Sequence, residues 1–278
     1  MRLARWVMGS LLLAASAAGC GEASNTTSKP NGPATALPVG AKPAKPGLEL
    51  HELVTAAQRR GINAEMVGPP GKKLLLLEFN PGTTQALLVG KPEKGMSAHD
   101  ALQTYELDVV VGSGFVSELH SLQPVGLLQV DGQTLNPVQG HGYTRILGIS
   151  DHGMGVVHKE AYHRDLFHSA LQAGPGIIED GALDISERDL QRPQYFRSFI
   201  AVCEARWLAG ISLAPTHLRT LGETLTQHIH TQGWQCADAV NLAGDRQAVL
   251  VLRNGDTGVA YHGDPDTYKV SLFGFRAR

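Results

Sequence analysis

The chain lacks the common catalytic signatures. It has no G-x-S-x-G, no H-E-x-x-H, no phosphate-binding P-loop and no dinucleotide fingerprint, so no familiar hydrolase, zinc peptidase or nucleotide enzyme announces itself. Basic runs are missing too: 24 Lys and Arg stand against 26 Asp and Glu, a formal charge of -2, and nothing in the order of residues could track a phosphate backbone. A nucleic-acid partner is not expected. No apolar run reaches the ~20 residues that a helix needs to cross a bilayer. Cysteine is scarce, with three in 278 residues, and the histidines show no ligand spacing: His158, His163 and His168 recur at intervals of five, while His228 and His230 diverge on the strongest helical pattern. No metal or cofactor is expected.

What is present begins at the N-terminus. Arg2 and Arg5 supply positive charge, Val7 to Ala15 form a short apolar stretch, and Ala17-Ala18-Gly19 precede Cys20. That order is a secretory signal, and small residues before a cysteine resemble the lipobox of bacterial lipoproteins. Residues 1–19 are therefore expected to be removed and Cys20 to carry lipid, which makes a membrane the first partner. Gly21 follows rather than Asp, which for such lipoproteins favours the outer membrane where the cell has one. Residues 20–47, with Pro30, Pro33, Pro38, Pro43 and Pro46 and almost no large apolar side chain, read as a tether. Residues 48–278, about 230 in all, carry no comparable break and are expected to fold as one domain. With Arg2 and Arg5 removed, 22 basic residues face 26 acidic ones and the chain is mildly acidic. Cys203 and Cys236 then remain in an oxidising compartment, either as one disulfide or as two buried thiols.

Short apolar or alternating segments bounded by Gly, Pro, Asn or Asp predict strands from Lys73–Phe79 through Val270–Phe275. Asp131-Gly132 and Asp180-Gly181 predict hairpins. Helices are few: His51–Arg59, Ser97–Thr104 and a clear one from Pro215 or Thr216 to Thr231, with Leu218, Leu221, Leu225 and Ile229 on one face and Gly233 at its end. The expected fold is α+β, a strand-rich domain of mixed sheet with one main crossover helix. The strands flanking that helix are expected to be parallel neighbours.

Four ordered segments resemble the phosphodiester glycosidase family, over roughly residues 73–255. They are Val111-Gly112-Ser113-Gly114-Phe115; Gln172-Ala173-Gly174-Pro175-Gly176-Ile177-Ile178 with Asp180-Gly181; Arg197 heading the strand Phe199–Cys203; and Gly233-Trp234 leading to Asn241-Leu242-Ala243-Gly244-Asp245. The resemblance implies an envelope protein that hydrolyses or binds a phosphate-linked sugar. Arg197 would hold the phosphate, because its planar fork grips two oxygens at once, and Gln172, Gly174, Asn241 and Ser113 would line the substrate site. The chain departs from the family at two chemical positions: Gly112 begins the segment where an asparagine is usual, and Ala243 stands where an aspartate is. Asp245, two residues on, is the candidate replacement carboxylate for acid–base work. Without it, the domain would be a degenerate relative that binds a glycan or serves a structural role. Trp207, Trp234, Tyr143, Tyr195 and Tyr261 are candidate sugar-stacking rings.

Overall fold

The computed structural model describes residues 50–278 apart from 113, 118–121, 141 and 257. The leader, the tether, Cys20 and Ser113 lie outside the described residues. The chain runs through α1 (Leu50–Arg59), β1 (Asn63–Val67), β2 (Leu74–Phe79), β3 (Thr84–Gly90), α2 (Ala98–Thr104), β4 (Val109–Val111), β5 (Leu128–Val130) and β6 (Gln133–Asn136). It continues through β7 (Arg145–Ser150), β8 (Gly153–His158), β9 (Ser169–Ala173), β10 (Gly176–Glu179), β11 (Ala182–Leu183), β12 (Ser198–Cys203) and β13 (Arg206–Ser212). The last elements are α3 (Leu218–Gln232), β14 (Cys236–Asn241), β15 (Val249–Asn254), β16 (Gly258–Gly263) and β17 (Ser271–Ala277).

Three sheets result: β1-β2-β13-β12-β14-β10-β11, β16-β15-β4-β17-β3 and β6-β5-β9-β7-β8. Their inner faces meet in one apolar core. Leu75, Leu77, Ile200 and Val240 of the first sheet pack there with Val109, Leu250 and Phe273 of the second and Leu147 and Leu171 of the third. Helix α3 covers the outer face of the first sheet, placing Leu218, Leu221, Leu225 and Ile229 on Leu74, Leu76, Phe199 and Ala239. This two-sided burial explains why Leu74 to Leu77 is an unbroken apolar run rather than an alternating one. Helix α2, capped by the Ser97 hydroxyl on the Asp100 N–H at 2.9 Å, covers the second sheet.

The strand-rich α+β architecture with one principal crossover helix is as the sequence implies, and both hairpins form, with Asp131 and Asp180 at φ 48°. The strands that flank α3 differ from expectation. β13 and β14 are parallel to each other but not neighbours, because β12 lies between them and pairs antiparallel with both. Helix α3 also begins later than its periodicity suggests, since Thr216 is held in a bridge with Tyr195 and His217 becomes the capping position. Cys203 and Cys236 sit directly opposite on β12 and β14 and are joined by a disulfide.

Candidate functional site

The site forms where β14 ends and β12 begins. The segment Leu242–Asp245 runs back along 196–198: the Leu242 N–H donates to Ser198 O at 2.9 Å, the Ser198 hydroxyl to Ala243 O at 3.2 Å, and the Asp245 N–H to Phe196 O at 2.8 Å. The loop after β4 arrives at the same place. Gly112 has φ 50°, and a Cβ there would lie 2.6 Å from both Leu242 and the Ser198 hydroxyl, so a side chain at this position would force its neighbours to shift. Gly114 donates to the Ser271 hydroxyl at 3.0 Å.

The third contribution is the turn from β9 to β10. Asn241 holds it from three sides: its Nδ2 donates to Gly174 O at 3.1 Å, its N–H to Pro175 O at 3.2 Å, and its carbonyl accepts the Gly174 N–H at 2.9 Å. The Gly174-Pro175 peptide is cis, and Gly174 takes φ 136°, which a side chain would strain. Asn241 is 1% exposed, yet its Oδ1 is buried without a partner among the described residues. An orphaned acceptor in that setting ordinarily costs about 1–3 kcal/mol unless a ligand or water meets it.

Arg197 lies on the same face of the sheet. Asn241 is opposite Phe199 in the β12–β14 register, so Arg197 is two residues, about 7 Å, further along the neighbouring strand. Its main chain is locked to Ser212 by the Arg197 N–H donating to the Ser212 hydroxyl at 2.9 Å and the Ser212 N–H donating to Arg197 O at 2.8 Å. The guanidinium carbon sits 5.0 Å over the Tyr195 ring. Arg197 makes no ion pair among the described residues; the residue is half-buried, and its buried Nε is unpartnered among them. Burial pulls its pKa down; Asp189, then Tyr195 and Asp245, work against that, while Arg192 adds to it. The site therefore holds two buried polar atoms, Arg197 Nε and Asn241 Oδ1, that have no partner among the described residues.

Other residues singled out by the sequence take different places. The Gln172 side chain is fully engaged: Oε1 accepts the Leu127 N–H at 3.1 Å and the Gln139 N–H at 2.9 Å, and Nε2 donates to Gln139 O at 2.9 Å and Tyr143 O at 2.7 Å. It clamps two loops beside the turn instead of offering a free amide to a ligand. Asp245 is exposed on a short 3-10 turn, and Ala243 is buried. Trp207 is in the central core, Trp234 is covered by the Arg206 guanidinium at 4.4 Å, and Tyr143 packs on Phe115. Tyr195, 40% exposed, is the ring at Arg197. Among the described residues no group of three or more His, Cys, Asp or Glu is placed to hold a metal ion.

Two residues escaped the sequence reading. Asp189, 9% exposed, lies on the 3-10 turn Glu187–Gln191, and its Oδ2 accepts the N–H of Arg219 in the first turn of α3 at 2.9 Å. His217 occupies the N-cap position of the same helix without a side-chain capping bond, and its buried Nδ1 has no partner among the described residues. Asp189 lies 30 residues from its partner Arg219, and nothing in the local sequence marks that contact.

The fold is one found in solved structures, although no protein-family model and no curated protein matches the sequence. The chain is similar to the catalytic domain of zebrafish N-acetylglucosamine-1-phosphodiester alpha-N-acetylglucosaminidase, auto-inhibited by its pro-peptide, with a TM-score of 0.58 and 14% identity over 78% of this chain and 82% of that one. It is also similar to a hypothetical protein from Synechocystis, with a TM-score of 0.53 and 13% identity over 78% of this chain and 62% of that one. At such identities the likeness is one of fold.

Proposed function

We propose that this is an envelope lipoprotein, anchored through Cys20, whose domain binds a sugar phosphodiester at the Arg197–Asn241 site. The observation that carries the reading is the pairing of two unsatisfied groups: Arg197 Nε, a charged donor, and Asn241 Oδ1, a buried acceptor. A glycosyl phosphodiester offers both complements, an anionic oxygen for the arginine and a sugar hydroxyl or amide N–H for the asparagine. Exposed Tyr195 provides a ring edge and face for the sugar. The zebrafish enzyme named above acts on a bond of this class, which supports the choice of ligand.

Binding is favoured over hydrolysis. Cleavage needs a carboxylate in contact with the reacting atoms, and position 243 is alanine while Asp245 points from an exposed turn. The test offers the purified protein a panel of glycosyl phosphodiesters, follows binding by saturation-transfer NMR and cleavage by sugar release, and repeats both with Arg197→Ala. Binding without release, lost in the variant, is the expected result. Release that Arg197→Ala leaves unchanged would defeat the assignment of the site.

A further inference from the structure

The turn that Asn241 holds passes from one sheet to another, since β9 belongs to the third sheet and β10 to the first. Arg145 flanks the same turn. It is the first residue of β7, lies opposite Ala173 of β9 in the register and is 4% exposed. Its guanidinium reaches across from the third sheet to the first, where Nη2 donates to Asp184 Oδ2 at 2.8 Å and pairs with Glu179 Oε2 at 2.9 Å. Glu179 ends β10 and Asp184 follows β11, so both ends of that hairpin are clamped. Asp184 is also tied back by its N–H to Ile177 O at 2.9 Å. Gly176 gives the clamp its room: a Cβ there would lie 2.9 Å from Arg145 Nε and 2.7 Å from Asp184 Oδ2. Thr144 lies against Gly174, whose Cβ would be 3.2 Å from the Thr144 nitrogen. The turn is thus held by Asn241 and by Thr144-Arg145 together.

Burying an arginine against carboxylates adds little net stability, because desolvation offsets the attraction; its attested use is to fix one arrangement over others. Here the two carboxylates keep access to water, with side chains 47% and 35% exposed, so without the arginine they would hydrate in place. The other charged groups that bear on the cluster are Asp180 and Asp238, of the same sign as the clamped carboxylates, and His158, opposite Arg145 on β8 and paired with Glu160. Among the described residues, Arg145 is the one Lys or Arg acting on both Asp184 and Asp238.

Resting on the proposed function, we propose that Arg145 is a positioning residue: by clamping Glu179 and Asp184 across the two sheets it sets the Gly174-Pro175 turn against Asn241, and with it the amide that receives the sugar. The path is short. Arg145 fixes Gly176 and the hairpin behind it, the turn brings Gly174 O to Asn241 Nδ2 at 3.1 Å, and that bond leaves Oδ1 as the end of the amide without a partner among the described residues. Arg145 itself touches no ligand.

The test uses the full chain in detergent, with amide hydrogen exchange by NMR and calorimetric titration with the methyl diester of N-acetylglucosamine 1-phosphate. Two amides report the turn: the Gly174 N–H, bonded to Asn241 O, and the Asn241 N–H, bonded to Pro175 O. The Leu77 and Ile200 amides, on core strands, report global opening. In Arg145→Met the turn amides are expected to exchange about tenfold faster while the core amides and the Tm change little, and diester affinity is expected to fall about tenfold, the scale of one lost hydrogen bond. Arg145→Lys keeps the charge without the planar fork and is expected to restore part of both. Leu102→Ala, a fully buried change under α2 on the second sheet, is expected to lower the Tm with diester affinity unchanged. Asp184→Asn, which keeps an acceptor and removes a charge, carries the same test if Arg145→Met does not fold. Turn amides that exchange as in the wild type, or that accelerate only in step with the core amides, would overturn the positioning role. Wild-type diester affinity in a variant whose turn has loosened would overturn it as well. Absence of diester binding by the wild type would instead remove the proposed function, with the exchange result still deciding what Arg145 does to the turn.

Discussion

At the scale of single residues, the side chains nearest the site divide into those that are used up and those that are not. Gln172 belongs to the first kind, with all of its hydrogen-bonding capacity spent on the backbone of residues 127, 139 and 143. Gln172→Leu would leave several buried backbone groups unpaired and is expected to lower unfolding free energy by about 2–4 kcal/mol in urea titration; a loss below ~0.5 kcal/mol would show that the loops hold themselves. A second residue-scale prediction concerns Asp238, whose pKa is raised from 3.8 to about 6, first by burial and then by Asp180, with Glu179 adding to it and Arg145 opposing. A carboxyl group with a raised folded-state pKa stabilises the fold while protonated, and that contribution is lost as pH rises through about 6. Asp184 is shifted the same way, mainly by burial, with buried Arg145 pulling against it at 2.8 Å. Asp238→Asn should therefore raise the Tm at pH 7.5 and change it little at pH 4. A Tm difference of the same size at both values would contradict this.

At the scale of elements, the site is a product of strand order. Gly174, Arg197 and Asn241 come from the ends of β9, β12 and β14, and only the pairing of β14 with both β10 and β12 makes them neighbours. Much of the element list was legible in the sequence. β2 appears within the expected Lys73–Phe79, and the two Asp-Gly turns close their hairpins, because local apolar runs and positive-φ turn residues announce themselves. β1 and β16 were not legible. Both are edge strands with mixed polar sequence, Asn63–Val67 and Gly258–Gly263, whose conformation comes from the partner strand rather than from propensity. The same limit applies to the site. Arg197 and Asn241 stood out by family likeness, whereas Asp189 reaches α3 from 30 residues away through a five-residue turn, and nothing in its neighbours marks the contact. Two changes test the element-level account. Leu225→Ala, at a fully buried position between α3 and the first sheet, is expected to cost about 2–5 kcal/mol. Replacing both Cys203 and Cys236 by serine opens a link that spans 33 residues and is expected to cost about 3–4 kcal/mol on the chain-entropy model. Equal stability of oxidised and reduced protein in guanidinium titration would refute the second.

At the scale of the whole molecule, three antiparallel sheets share one core, and the outer face of the largest is closed by α3. The scaffold is similar in fold to the catalytic domain of the zebrafish enzyme, and with alanine at position 243 and Asp245 on an exposed turn the proposed site is better suited to holding a ligand than to breaking it. The tether and the anchor at Cys20 complete that proposal by keeping the domain within reach of envelope glycans. Cys20→Ala is expected to move the protein from the detergent-extracted membrane fraction to the soluble fraction and to abolish incorporation of labelled palmitate; unchanged partition would argue against lipidation. The central claim is that Arg197 receives the phosphate. Calorimetric titration of purified wild type and Arg197→Ala with the methyl diester of N-acetylglucosamine 1-phosphate tests it most directly. The account predicts a loss of affinity of about tenfold or more in the variant, from removal of a charge-assisted hydrogen bond worth about 1.5–3 kcal/mol, and equal affinity of the two proteins would contradict it.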